Sequence, residues 1–263
     1  MNEKSYLRLE IGSRTDVGRV RKNNEDACRA LSSLNLFIIS DGMGGQSHGE
    51  TASAMAADTI TAQCSKGSAT DEPSTGHDDV QGPAYSEKTK RLANAVRLAN
   101  HDIYQAALNN LQFRGMGATV VAAWLEGSCL SLVHVGDSRA YLFRGGVLQC
   151  LTEDHTLVAE QVRRGLIAPE QAYLSKMQNV LIRALGIQEN VVLDAAEYSL
   201  LDQDVVLLCS DGLTRMVIDT ELTKALLEAA DAQTTADHLV SLANSHGGED
   251  NVSVIVVHVT EPT

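Results

Sequence analysis

The fold is decided by one stretch of this chain, LFIISDGMGG at residues 36–45. Its four leading apolar residues, two of them β-branched, predict a buried strand. The strand ends at Asp41, and the glycines that follow allow the backbone to turn sharply and approach whatever this carboxylate contacts. A carboxylate at the end of a buried strand is costly unless it is paired or holds a cation. The sequence therefore raises the question of what neutralises Asp41.

The same arrangement recurs at three other places. Apolar runs precede Asp211 and Asp137, and Asp250 precedes the apolar run VSVIVV at 252–257. Because the end of one antiparallel strand lies beside the start of its neighbour, these side chains can share one rim. A hairpin turn explains any single Asp-Gly after a strand, but four such sites favour an acidic cluster. Clustered carboxylates repel one another, and oxygen-only ligands favour Mg²⁺ or Mn²⁺ over zinc.

Composition narrows the class of protein. With 263 residues, 44% of them hydrophobic, the chain can bury the core of one large domain, or at most two. A net charge of −13 argues against a nucleic-acid-binding surface, and 4% aromatic residues provide no stacking platform for bases. A phosphate-bearing substrate would have to be drawn by bound metal or by a few arginines.

The cysteines and the N-terminal residues bear on location. The five cysteines are scattered and form no CxxC pair, so they suggest neither a zinc site nor a redox dithiol. The first residues lack the apolar core of a signal peptide, and no stretch has the length and apolarity of a membrane span. We expect a protein of the reducing cytoplasm.

Hydrophobic periodicity predicts a mixture of strands and helices. Alternation over residues 7–11 predicts a half-exposed first strand, and the composition of residues 65–85 predicts a mobile surface loop. Four strands between residues 120 and 151, joined by short turns, predict an antiparallel meander. Residues 156–185 predict a helical, irregular excursion from the sheet. Further helices are predicted at 50–63, 86–111, 221–229 and 235–245, and further strands at 191–198, 204–210 and 252–259.

An ordered set of short motifs extends from about residue 12 to residue 259. They are Asp16-Val17-Gly18 with Arg21, Asn24-Glu25-Asp26, Ser40-Asp41-Gly42-Met43-Gly44-Gly45 with Gly49-Glu50, Gly117-Ala118-Thr119, Val135-Gly136-Asp137-Ser138-Arg139, Thr152-Glu153-Asp154-His155, Arg183-Ala184-Leu185-Gly186, Ser210-Asp211-Gly212-Leu213 and Gly247-Gly248-Glu249-Asp250-Asn251. Each motif is weak alone, but the set in this order resembles the PPM family, the metal-dependent (type 2C) protein serine/threonine phosphatases, in its compact bacterial form.

The resemblance implies an α+β fold: a four-layer α-β-β-α sandwich of two antiparallel sheets flanked by helices, formed by residues 1–263 as a single domain. It also implies two Mn²⁺ or Mg²⁺ ions at one end. By motif position, Asp41 resembles the carboxylate that bridges both metals, and the carbonyl of Gly42 a ligand of one. Asp211 and Asp250 match the ligands of the other metal, and Asp137 matches a weaker third site.

The resemblance assigns roles to three further residues. Asp26 matches the residue that orients metal-bound water, with Glu25 assisting through water, and Arg21 matches the phosphate-binding arginine. Residues 156–185 match a flap subdomain beside the site. The implied reaction is hydrolysis of phosphoserine and phosphothreonine in proteins by a water bridging the two metals, in opposition to a Ser/Thr kinase. No covalent phosphoenzyme is needed, so no cysteine acts as nucleophile, and we expect a monomer without a membrane segment or nucleic-acid partner.

Several positions depart from the family pattern. Gln46 stands where the family often has His, and Met43 where many members outside bacteria have a His that is a candidate general acid. Ala118 replaces a common Thr, and residues 174–179 lack the His-Pro and Arg that often precede the Asn. All the metal carboxylates are present. The departures therefore bear on substrate preference rather than on activity.

Two other functions compete with the phosphatase. Residues 42–45 could be a phosphate loop of a nucleotide-binding protein, but the dinucleotide fingerprint needs a third glycine where Ser47 lies, and Asp41 would repel a pyrophosphate. A catalytically inactive phosphoprotein-binding scaffold of the same fold is the other alternative, because a fold alone does not prove activity. Such a scaffold would be expected to have lost a metal carboxylate.

Overall fold

The computed structural model describes residues 7–44, 48–66, 85–172, 175, 177–228 and 230–261. Within them, two antiparallel sheets pack face to face, and helices cover the outer face of each sheet. This arrangement confirms the α+β four-layer sandwich. The strands are β1 (Arg8–Asp16), β2 (Asp26–Leu31), β3 (Leu36–Met43), β4 (Gly117–Ala118), β5 (Val120–Glu126), β6 (Cys129–Val135), β7 (Arg139–Arg144), β8 (Val147–Cys150), β9 (Asp194–Ser199), β10 (Val205–Cys209) and β11 (Val252–Thr260).

The two sheets interleave distant parts of the chain. The first sheet has the order β1-β11-β10-β7-β8, so the first and last strands of the chain are neighbours. The second has the order β2-β3-β5-β6-β9, and the short strand β4 pairs with the end of β3. The strand predicted from LFIISDGMGG is therefore an interior strand, between β2 and β5.

Four of the helices lie where amphipathic periodicity predicts them, with small shifts at their ends. Ser86 caps the second helix as predicted, since its side chain accepts a hydrogen bond from the Thr89 amide. The helices are α1 (His48–Ser65), α2 (Glu87–Asn109), α3 (Leu157–Arg163), α4 (Pro169–Ala172), α5 (Asp211–Thr214), α6 (Asp219–Glu228) and α7 (Ala232–Ser245). A single 3₁₀ turn, Leu111–Phe113, follows α2.

Three apolar layers explain why the interior strands are continuously hydrophobic. Phe37 and Ile39 of β3 belong to the layer between the sheets, whereas Leu36 and Ile38 pack against α1 and α2. Residues alternate between the two faces of a strand, so a strand buried on both faces needs apolar residues at every position. The third layer lies between the first sheet and helices α6 and α7.

The predicted four-strand meander is wrong. Strands β5 and β6 form a hairpin in the second sheet, whereas β7 and β8 form a hairpin in the first. The connection from β6 to β7 crosses between the sheets at Gly136, whose φ of +106° is open to glycine and strained for other residues. Local alternation cannot distinguish a turn within one sheet from a crossing between two.

The predicted excursion at residues 156–185 leaves the sheet and returns to it at one place. The amide of Leu157 donates to the carbonyl of Val180 (2.8 Å), and the amide of Ile182 donates to the carbonyl of His155 (2.8 Å). Helices α3 and α4 lie between these two bonds. For the predicted mobile loop at 65–85, residues 67–84 lie outside the described residues.

No helix among the described residues has both the length and the apolarity needed to cross a membrane.

Candidate metal centre

One end of the sandwich gathers the carboxylates that the sequence singled out. Asp26 opens β2 directly opposite Asp41 near the end of β3. In the other sheet, the end of β10 pairs with the start of β11, and this brings Asp211 and Asp250 to the same end. The negative charges of these three carboxylates and of Asp137 all act to raise the pKa of Asp41. The acidic rim, as we call it, consists of Asp26, Asp41, Asp137, Asp211 and Asp250.

Asp41 is held rigidly through its backbone. Its amide donates to Thr119 Oγ1 (3.1 Å), and its carbonyl accepts from the Thr119 amide (2.8 Å). The Thr119 hydroxyl also contacts the Ser138 hydroxyl at 2.7 Å, which ties Asp41 to the loop that carries Asp137. Burial raises the pKa of Asp41 well above its usual range, and the neighbouring carboxylates add to the effect.

Asp26 joins the two sheets. Its Oδ2 accepts hydrogen bonds from Ser210 Oγ (2.9 Å) and Ser253 Oγ (2.7 Å). Ser253 lies in β11 of the first sheet, and Ser210 directly follows β10 of the same sheet. Its Oδ1 is buried and has no hydrogen-bond partner. Burial raises the pKa of Asp26 to about 7, against the two serine hydroxyls, which act to lower it. One carboxylate oxygen is thus fixed, and the other is free for a ligand.

Asp211 and Asp250 meet two arginines. Arg215 Nη2 lies 2.5 Å from Asp211 Oδ2, and Arg215 Nη1 lies 3.3 Å from Asp250 Oδ2. Arg21 Nη2 donates to the same oxygen of Asp250 at 2.8 Å. The other oxygen of Asp211, Oδ1, is buried without a hydrogen-bond partner. Burial raises the pKa of Asp211, and Arg215 opposes that rise.

Close packing explains the glycine at position 42. A Cβ placed there would lie 2.0 Å from the carbonyl oxygen of Gly49, at the start of α1. The Gly42 amide donates to the carbonyl of Glu25 (3.0 Å), which also accepts from the Ser53 hydroxyl at 2.5 Å. The Glu25 amide in turn donates to Asn251 Oδ1 (2.8 Å), so the backbone at Glu25 and Gly42 is held from both sheets. Burial raises the pKa of the Glu25 carboxyl.

Asp137 lies on the glycine crossing between the sheets. Burial raises its pKa to about 7, and the charges of Asp211 and Asp154 add to the effect. Arg139 donates to both oxygens of Asp154, from Nε to Oδ1 at 2.8 Å and from Nη2 to Oδ2 at 2.7 Å. Asp154 is therefore a paired carboxylate with a structural role. Asp137 itself belongs to the rim without such a partner among the hydrogen bonds of the described residues.

The rim is chemically suited to a hard divalent cation. Its charged ligands are carboxylate oxygens, two of which are buried and without hydrogen-bond partners, Asp26 Oδ1 and Asp211 Oδ1. Buried polar atoms in proteins are almost always satisfied, so orphaned oxygens of this kind indicate a ligand site. A cation would also relieve the mutual repulsion that raises these pKa values. Mn²⁺ and Mg²⁺ both prefer such oxygen ligands.

A second cluster, of His134, His155 and Asp194, has ligand atoms within 4.8 Å of one another. Its hydrogen bonds satisfy it internally. The Gly136 amide donates to His155 Nδ1 (3.1 Å), and His155 Nε2 contacts both Asp194 Oδ2 at 3.2 Å and Arg183 Nη1 at 3.1 Å. Arg183 also donates to Asp194 (2.9 Å), and the bond with His155 lowers the pKa of Asp194 to about 2. We therefore interpret this cluster as a polar anchor between residues 156–185 and the Asp137 loop.

Sequence reasoning assigned no role to the residues that hold the rim. Ser253 fixes Asp26 through its hydroxyl, and no pattern in the chain distinguishes it from an ordinary strand residue. Thr119, whose hydroxyl accepts from the Asp41 amide, lies in the motif Gly117-Ala118-Thr119, but the motif did not indicate this contact. Arg215 could have been found, because it lies four residues after Asp211 and i,i+4 side chains meet on a helical turn. Gln46, a predicted departure, lies outside the described residues, as do residues 173, 174 and 176.

A buried rim of carboxylates at one end of an α-β-β-α sandwich defines a metal-dependent hydrolase site, and comparison with known proteins agrees. The model of the protein phosphatase 2C family matches residues 18–244. This chain belongs to that family. It is 36% identical over 248 residues to the serine/threonine phosphatase stp of Listeria monocytogenes, covering 93% of each chain.

Solved structures agree with the sequence relatives. The structure of the serine/threonine phosphatase PstP/Ppp of Mycobacterium tuberculosis has a TM-score of 0.84 at 33% identity, over 96% of this chain and 99% of that one. The catalytic domain of PstP in complex with two manganese ions has a TM-score of 0.80 at 35% identity, over 97% of this chain and 100% of that one. The fold is thus that of the bacterial serine/threonine phosphatase structures.

Proposed function

We propose that this chain hydrolyses phosphoserine and phosphothreonine in proteins with the help of two divalent cations held at the acidic rim. The observation that carries the proposal is the convergence of carboxylates from four distant segments of the chain. Two of these carboxylates, Asp26 and Asp211, each have a buried oxygen without a hydrogen-bond partner. The named relatives are serine/threonine phosphatases, and the PstP domain binds two manganese ions. No observation favours an inactive scaffold of the same fold.

Family position and local geometry support the same assignment of ligands. Asp41 and the Gly42 carbonyl would hold one Mn²⁺ or Mg²⁺, Asp41 with Asp211 and Asp250 the other, and Asp137 with Asp211 a weaker third. The bound cations supply charge neutralisation at the phosphate and a lowered pKa of coordinated water. The hydrogen bonds between the Asp41 backbone and Thr119 fix the carboxylate that would hold both ions.

The chain's own residues then position the reactants. Asp26 has one oxygen fixed by two serines and the other free, so it can accept a hydrogen bond from the attacking water and orient it. Glu25 assists from the neighbouring position, through water. Arg21, at the rim beside Asp250, offers a planar guanidinium to the equatorial phosphate oxygens.

Three of the five cysteines are unsuited to act as nucleophiles. Burial raises the pKa of the Cys28 and Cys64 thiols to about 12, and it also raises the pKa of Cys209. A thiol nucleophile needs a lowered pKa. These three side chains therefore stay protonated at neutral pH, consistent with direct attack by water.

The test combines turnover with location of the metal. We expect Mn²⁺-dependent release of phosphate from a phosphothreonine peptide, lost in EDTA, and anomalous scattering peaks beside Asp41 in manganese-soaked crystals. Bound manganese without turnover would support the scaffold. Nucleotide binding in calorimetry without phosphate release would support the phosphate-loop alternative, and manganese peaks away from the rim would refute our ligand assignment.

Three finer points belong to the same proposal. Phosphorylated proteins are the substrates, and we propose a cognate Ser/Thr kinase as the opposing enzyme. We propose a monomeric enzyme of the reducing cytoplasm, in line with five cysteines that form no disulfide. Residues 156–185, which leave and rejoin the sheet beside the rim, are proposed as a flap that influences substrate choice.

A further inference from the structure

Arg215 contacts two carboxylates that the proposed function gives to a metal. Its guanidinium spans Asp211 Oδ2 at 2.5 Å and Asp250 Oδ2 at 3.3 Å. The arginine side chain is 28% exposed, and the two carboxylates are 10% and 18% exposed. The three charges thus form a largely buried triad at the mouth of the site.

Asp250 leaves little room for an additional partner. Its Oδ1 accepts from the Asn251 amide at 2.9 Å, and its Oδ2 is shared by Arg21 at 2.8 Å and Arg215 at 3.3 Å. A cation that binds Oδ2 must therefore loosen at least one guanidinium. The Arg215 contact is the longer of the two, and this side chain keeps Asp211 as its other partner.

Asp211 depends on Arg215 more than Asp250 does. Its Oδ2 lies 2.5 Å from Arg215 Nη2, and among the described residues no other cationic side chain pairs with it. A buried carboxylate with no cationic partner is costly. Arg215 therefore holds these two carboxylates together when they carry no metal.

We propose that Arg215 is an internal counter-cation that competes with the catalytic metal for Asp211 and Asp250. It stabilises the metal-free chain and weakens metal binding, because a cation must share or displace its contacts. The inference rests on the proposed function, since it takes these carboxylates as metal ligands. Its consequence is a site that loads only at a higher concentration of free cation than the carboxylates alone would require.

The experiment measures metal affinity and metal-free stability rather than turnover. Manganese binding to the full chain is titrated by calorimetry for the wild type, Arg215→Gln and Arg215→Lys, and thermal unfolding is followed in EDTA. We expect Arg215→Gln to lower the manganese Kd roughly tenfold, since a like charge near the cation is removed. We expect its metal-free Tm to fall by about 2–4 °C. Arg215→Lys should stay close to the wild type in both, because the charge remains.

Arg29→Gln is the matched control. Arg29 pairs with Asp58 at 3.0 Å on the outer side of the second sheet, so its removal deletes one charge pair away from the rim. It should leave the manganese Kd unchanged. If Arg215→Gln does not fold in EDTA, it is prepared with manganese, and its Kd is measured by titration with a chelator.

The outcomes separate the two proposals. A manganese Kd that is unchanged in Arg215→Gln overturns the inference. A weaker Kd also overturns it, because it would make Arg215 a positioning residue that aims Asp211 at the metal. If the wild type and every variant bind no manganese, the proposed function itself fails.

Discussion

Strand β10 has a buried carboxylate at each end, and the protein treats the two in opposite ways. Asp204, just before the strand, is 1% exposed, yet Arg144 donates to both of its oxygens at 2.8 and 2.6 Å. The Leu201 amide adds a third bond at 2.7 Å. Asp211, just after the strand, keeps one buried oxygen with no hydrogen-bond partner. A structural carboxylate is satisfied by its own chain, whereas a functional one is left incomplete for a ligand.

The largest expected effect separates the two ends by activity. Asp211→Asn should lower kcat on a phosphothreonine peptide by on the order of 10³-fold at saturating Mn²⁺, because the amide is a poor ligand for the cation. Asp204→Asn should leave kcat within about twofold of the wild type, since that end has no role in binding. Full turnover by Asp211→Asn would place the catalytic cation elsewhere and remove the basis of the comparison.

Addition of metal should affect one end only. At a Mn²⁺ concentration of about a hundred times Kd, the free energy of unfolding should rise by about 2.7 kcal/mol over that in EDTA. Circular dichroism melts measure this as a rise in Tm. Asp204→Asn should retain the rise and Asp211→Asn should lose most of it. An equal rise in both variants would mean that manganese stabilises the fold from another site.

Arg21→Ala sharpens the comparison within the functional end. We expect kcat/KM to fall by roughly 10- to 100-fold, mainly through KM, because a charge-assisted contact with the phosphate is lost. Steady-state kinetics and manganese calorimetry measure the two effects, with Lys22→Ala as the control at a neighbouring solvated position. Manganese should remain bound, and its loss in Arg21→Ala would make this arginine part of the metal site.

The smallest effect concerns stability at the structural end. Asp204→Asn should lower the free energy of unfolding by about 1–3 kcal/mol, because the amide cannot accept both guanidinium bonds and leaves a donor facing Arg144. Arg144 is half exposed, and water can therefore take over part of the lost pairing. Chemical denaturation in EDTA measures the change. A variant as stable as the wild type would show that the Asp204–Arg144 pair does not contribute to the free energy of unfolding.

The two ends also differ in how far the sequence revealed them. The acidic rim could be predicted because each carboxylate follows or precedes an apolar run, and because the motifs occur in a family order. Asp204 also precedes an apolar run, but it belongs to none of the motifs in that order, and its partner Arg144 lies sixty residues away along the chain. Pairings between distant segments depend on the strand order, which local periodicity does not encode.

The errors of sequence reasoning have the same origin. The meander between residues 120 and 151 was predicted from spacing alone, yet the chain changes sheets at Gly136. The contacts of the Ser210 and Ser253 hydroxyls with Asp26 were not predicted for the same reason, since they form only once the two sheets are stacked. Arg215 is the exception, because its spacing from Asp211 was available in the sequence.

The bonds from Ser210 and Ser253 to Asp26 make the centre sensitive to the stacking of the sandwich itself. These bonds cross from one layer to the other, and Phe37, Ile39 and Leu208 fill the space behind them. A change in volume there shifts one layer against the other and alters the aim of Asp26 without touching any charged group. Remote apolar substitutions in this layer can thus lower the turnover of the enzyme while its surface and its carboxylates stay the same.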